Sequence, residues 1–122
     1  MTDSAEPPVP VASAEAVVQL YDTVLGHVAK AAAAARAGDF QTQFNEVMSA
    51  TRILDGLNRC LDMEAGGQVA LSLRDMYESV SRALLRSVGK DSAGEACDKL
   101  IGAVRETRNA WAANVGLPQL EG

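Results

Sequence analysis

The run LDMEAGGQVALSLRDMY, residues 61–77, decides the fold. It joins the end of one apolar helical stripe to the start of another. Paired glycines reach backbone angles that other residues avoid, so Asp62 to Gly67 predicts a tight corner. Beyond the corner, Val69, Leu73, Met76, Tyr77, Val80, Leu84 and Val88 recur at helical spacing. Gly89 stops this helix, and Arg82, Arg86 and Lys90 near its end suit the dipole. The run holds no metal-ligand set, no nucleophile and no phosphate loop.

Upstream, Asp39 is placed to cap a helix whose stripe is Phe40, Phe44, Val47, Thr51, Leu54, Leu57 and Leu61. Gly56 lies inside it and costs about 1 kcal/mol against alanine, so packing must outweigh propensity there. The preceding helix starts after a Ser13 cap with Glu15 in its first turn. It carries Val17, Leu20, Tyr21, Val24, Val28, Ala31 and Ala35, and ends at Gly38. Downstream, Ser92 and Glu95 have capping-box spacing, followed by Cys97, Leu100, Val104, Arg108 and Trp111, with Gly116 and Pro118 as stops. No segment has strand periodicity.

Four helices with short connections predict an all-α, antiparallel up-down four-helix bundle. Pro7, Pro8 and Pro10 block helix at the start. The expected organisation is a flexible Pro-rich N-terminal arm over residues 1–12, a bundle over 13–116 and a short C-terminal tail over 117–122. The expected core is Leu20, Tyr21, Val24, Phe44, Leu54, Leu57, Leu73, Tyr77, Val80, Leu84, Leu100, Val104 and Trp111.

Composition narrows the function. The chain has 122 residues, 48% of them hydrophobic but only 4% aromatic, and a net charge of −5. That length suits one domain, and the acidic balance argues against a nucleic-acid partner. No apolar run approaches the roughly 18 residues of a membrane span, and the N-terminus lacks a signal peptide, so a cytoplasmic location is expected. Cys60 and Cys97 sit in no CxxC pattern and read as small apolar core residues, with a disulfide as the alternative. The single His27 cannot build a di-iron site and reads as a rim residue. Tyr21-Asp22 and Tyr77-Glu78 read as core tyrosines whose hydroxyls find rim partners. No triad, Walker loop or dinucleotide fingerprint is present, so neither catalysis nor a cofactor is expected.

Some apolar residues exceed the four stripes. Val18 and Leu25 flank the first, Ile53 the second, Leu85 the third and Ile101 the fourth. They suit either a wider core or a partner-facing groove for amphipathic segments. These five are the candidate partner-binding residues. A non-catalytic oligomerising or adaptor helical bundle, pairing with itself or with a different helical partner, is the competing reading.

Several pieces, in order, resemble the FliS family of flagellin export chaperones. Leu20-Tyr21-Asp22 is similar to that family's leucine–aromatic–aspartate start, and Gly38-Asp39 to its GD turn. Ser49, Ala50, Ile53 and Leu54 resemble its SKA-x-x-II segment, and Leu61-Asp62, Glu64 and Gly66-Gly67 its LD-x-E-x-GG corner. Leu73, Met76 and Tyr77 are similar to its NL-x-x-LY, Arg82, Leu84 and Leu85 to the arginine and apolar pair beyond. Asp91 resembles the aspartate before its fourth helix, and Ala110-Trp111 its closing AW. Ser72 stands where the family has Asn, and residues 1–12 carry no counterpart of the family's arm tyrosine. The resemblance implies a non-catalytic chaperone that binds the disordered C-terminal segment of flagellin. It also implies that the chaperone prevents premature polymerisation and delivers its guest to the flagellar export gate of the type III apparatus. It does not fix the five groove positions.

Overall fold

The computed structural model of the protein describes residues 14–114 and 116–121. It contains four helices: α1 (Ala14–Arg36), α2 (Phe40–Arg59), α3 (Met63–Ser87) and α4 (Ala93–Asn114). No strand occurs among the described residues. The expected arm and the Ser13 cap lie outside them.

Local chemistry sets the helix ends. Gly38 takes a φ of 74°, where the Asp39 N–H reaches the Ala34 carbonyl at 2.9 Å and closes α1. Asp39 then caps α2. Its carboxylate accepts the Thr42 N–H at 3.1 Å and the Thr42 hydroxyl at 2.7 Å. One glycine and one aspartate thus turn the chain from α1 into α2.

The second connection corrects the expected corner. The chain reverses at Cys60 to Asp62, ahead of the glycines. Asp62 caps α3 by accepting the N–H groups of Glu64 and Ala65 at 3.1 and 3.0 Å. A single helical turn follows, and Gly67 breaks it with φ 53° and ψ −129°. The glycine pair therefore kinks the start of α3, because a capping aspartate had already begun the helix.

The helices pack as a bundle around one core of Tyr21, Val24, Val28, Val47, Leu54, Tyr77, Leu84 and Val104, among others. α1 packs most closely, against both α4 and α2, while α3 meets α4 least. Asp22, early in α1, binds Arg108, late in α4. Arg36, at the end of α1, binds Asp98, early in α4.

Several core expectations are overturned. Leu20 and Phe44 are exposed at 40% and 46%, and Val69, which opened the third stripe without being assigned to the core, at 58%. Leu100 and Trp111 are half-buried against the core. In α2 the inward face is Gln43, Val47, Ala50, Leu54 and Leu57, rotated away from the phenylalanines. Gln43 is buried because its amide bridges to the end of α3, donating to the Ser87 carbonyl and accepting the Gly89 N–H, both at 3.3 Å. Val69 points outward because the turn after Gly67 places Ala70 and Leu73 inside. Cys60 is exposed at the end of α2, whereas Cys97 is buried, and both are free thiols.

Candidate partner-binding surface

Three clefts follow the seams between helices. Between α1 and α2, Leu20, Ile53, Gly56, Leu57 and Cys60 line an almost wholly apolar cleft of about 290 Å³. Between α2 and α3, a cleft of about 260 Å³ runs past Leu54, Tyr77 and Leu85, with Asp55, Glu78 and Arg82 at its polar rim. Between α3 and α4, where packing is loosest, Val69, Leu73, Ala110 and Trp111 line a cleft of about 340 Å³. Exposed apolar surface that is contiguous and grooved marks a docking site more often than scattered side chains do.

Two of the clefts reach an aromatic cluster, the second through Tyr77 and the third through Trp111. Tyr21 sits at 0% exposure between Tyr77 and Trp111, with ring centroids 6.2 and 6.5 Å away. The expected rim partners of the two tyrosines are replaced by one another, since their hydroxyls share a hydrogen bond. Asp22 pairs with Arg108 instead, and Glu78 accepts from Asn58 at 3.5 Å. Burial pushes both phenols above their ordinary pKa, so neither serves as a base near neutrality. Burial likewise raises the Cys97 thiol, which keeps it protonated and unreactive. His27 lies at the rim and bonds Glu46 at 2.7 Å. No group of three or more potential metal ligands occurs among the described residues. None of their helices is long and apolar enough to cross a membrane.

The five candidate residues do not form one site. Ile53 joins Leu20 in the first cleft, and Leu85, half exposed, joins the second. Leu25 and Ile101 are partly buried and pack on the core. Val18 is 1% exposed and belongs to the interior. α1 is flanked closely on two sides, which widens its buried arc to take in a flanking valine and leaves Leu20 outside. Sequence reasoning missed Leu20, Val69 and Trp111 as cleft residues, along with the exposed pair Phe40 and Phe44. The signal for the last was present: Gln43, Val47, Ala50 and Leu54 offer a second stripe one position away.

A family model described as Flagellar protein FliS matches residues 9–116. A search of curated proteins finds no match. The matched range takes in all four helices, the capped turn at Gly38-Asp39, the glycine kink and every cleft-lining residue. The chain belongs to the FliS family of flagellar proteins.

Proposed function

We propose that this chain is a cytoplasmic export chaperone for bacterial flagellin. It holds the C-terminal segment of the newly made subunit, keeps it from polymerising and carries it to the flagellar type III export gate. Family membership supports the flagellar chaperone role. The observation that carries the finer reading is the distribution of apolar surface over three separate seams of one small bundle. A single docked helix would need one groove. A disordered chain with several amphipathic stretches would use several, folding as it wraps. Such a guest loses chain entropy on binding and recovers it through buried apolar area.

In this reading the helices run up and down in antiparallel order. The Asp22–Arg108 and Arg36–Asp98 pairs support that, because each joins opposite ends of α1 and α4. Ile53 with Leu20, Leu85, and Val69 with Trp111 contact the guest, one set in each cleft. Leu25 and Ile101 contribute at the margins, and Val18 supports the surface from within. The chaperone performs no catalysis and needs no cofactor.

Co-purification tests this. Full-length flagellin should be recovered with the chain, and flagellin lacking its C-terminal segment should not. Equal recovery of both, or of neither, overturns the proposal. The self-pairing adaptor draws on Phe40 and Phe44, which stand 54% and 46% exposed one helical turn apart. A tight homodimer that ignores flagellin would favour it.

A further inference from the structure

The segment after α4 is held mostly through its own main chain, with one bond from its Gln119 side chain. Gly116, with φ 73°, turns the chain, and the Leu117 N–H donates to the Ala112 carbonyl at 2.9 Å. That bond already closes the helix. Further bonds then fasten residues 118–120. The Leu120 N–H donates to Asn109 Oδ1 at 2.8 Å, and Asn109 Nδ2 donates to the Leu120 carbonyl, also at 2.8 Å. One carboxamide thus takes both main-chain groups of one residue, as a neighbouring β-strand would. Gln119 Nε2 donates to the Asn109 carbonyl at 3.0 Å, and Arg108 Nη1 donates to the Pro118 carbonyl.

The parts that hold this segment are themselves fixed. Arg108 is only 6% exposed. Its Nε and Nη2 grip the two Asp22 oxygens at 2.8 and 3.3 Å. The remaining Nη1 also donates to Asn109 Oδ1 at 3.2 Å. An arginine can only donate, so the amide oxygen must face it and the amide nitrogen must face Leu120. The Leu120 side chain itself stays 39% exposed. What is being held is therefore the backbone, and any extended residue other than proline could offer the same pair of groups.

We propose that Asp22, Arg108 and Asn109 form a docking ledge for one extended peptide segment, occupied in cis by residues 117–121. An extended stretch of the flagellin guest takes the ledge by displacing them. The trans occupant rests on the function proposed above; the ledge itself does not. A guest that folds into helices leaves extended connections whose main-chain groups need partners, and this ledge supplies them. While the cis segment occupies the ledge, the guest's apparent affinity falls by the fraction of ledge left free.

Two full-length variants separate the roles. Leu120→Pro removes the N–H that Asn109 Oδ1 accepts and so loosens the segment while leaving the ledge whole. Asn109→Ala loosens the segment by removing both bonds to Leu120 and takes away the carboxamide of the ledge as well. By calorimetry, the flagellin C-terminal segment should bind Leu120→Pro about tenfold more tightly than wild type. Asn109→Ala should bind no more tightly than wild type. Unchanged affinity in Leu120→Pro, or equal tightening in both variants, overturns the displacement. The ledge is tested without the guest by adding the peptide GLPQLEG, residues 116–122, to isotope-labelled Leu120→Pro chain. The Asn109 side-chain amide resonances should move, and should not move with the Leu120→Pro form of the peptide. If flagellin binds no form but the peptide moves that amide, the chaperone reading falls and the ledge stands. If the peptide leaves the amide unmoved, the ledge is wrong whatever flagellin does.

Discussion

α1 and α3 are both long helices of the same bundle, and they pack in opposite ways. α1 lies close to both its neighbours, whereas α3 lies loosely against α2 and more loosely against α4. The buried residues of α1 are alanines and valines apart from Tyr21. Those of α3 include Leu73, Tyr77, Val80 and Leu84. Interaxial distance follows the size of the side chains at the contact, so short residues draw helices together and long ones hold them apart. One helix thus forms the closely packed spine of the bundle and the other packs loosely along both its seams. The widest cleft lies on the loosest seam, between α3 and α4, although the close α1–α2 seam carries an apolar cleft as well.

The contrast sharpens if α3 proves loosely seamed yet firmly anchored. Leu84 is fully buried in the core. Leu84→Ala should cost about 2–5 kcal/mol in chemical denaturation, as deletions of buried leucine do. A cost near zero would mean that α3 is not anchored at all, and the contrast with α1 would be one of order against disorder. The next effect belongs to the spine. Ala31 is fully buried, and Ala31→Leu should cost about 1–3 kcal/mol by forcing α1 off its neighbours. Tolerance of the larger residue would show that the seam is not close-packed.

Surface positions along the open seams should separate stability from binding. Leu85→Asp should change folding stability by no more than about 0.5 kcal/mol, since half of the side chain already meets water. It should weaken the flagellin segment by about tenfold, roughly 1.4 kcal/mol. Denaturation and calorimetry on the same preparation check both. If binding is intact, the α2–α3 cleft is an incidental gap between large side chains.

How far these features were legible in the sequence depends on the range of the forces that set them. Gly38, Asp39, Gly89 and Gly116 mark helix ends as expected, because capping and positive φ involve only a few residues in a row. Rotation about each helix axis was less legible. In α2 the phenylalanines and the Gln43 face form adjacent stripes, and only the end of α3, bonding to Gln43, selects between them. In α1 the roles of Val18 and Leu20 are exchanged for the same reason: which flank is buried depends on where two neighbours lie. The clefts were legible only in part: Ile53 and Leu85 stood out beside their stripes, but each cleft is built from two helices. Asn109 carries no signal in the sequence, as its partner Leu120 is recognised through its backbone.

The two capping aspartates give the smallest effects and carry the comparison back to the turns. Asp39 begins a helix of 20 residues, and its carboxylate is held by both the hydroxyl and the N–H of Thr42. Asp62 begins α3, but Gly67 interrupts that helix one turn later. Loss of the first cap frays a turn on which the α1–α2 seam depends. Loss of the second frays a turn already separated from the main body of α3. Asp39→Ala should therefore lower Tm more than Asp62→Ala. The bonds from Thr42, hydroxyl first, also hold the Asp39 carboxyl below its ordinary pKa. A carboxyl depressed in the folded state adds stability above its unfolded pKa, near 4, and loses it as pH falls through the folded value. The Tm gap between wild type and Asp39→Ala should be full at pH 7 and shrink as pH falls below the unfolded pKa near 4. A gap that persists unchanged into acid would mean that the Thr42 bonds do not depend on the carboxylate charge. Equal losses at the two caps would mean that the Gly67 break does not isolate the first turn of α3, and the two connections would then be alike in everything but sequence.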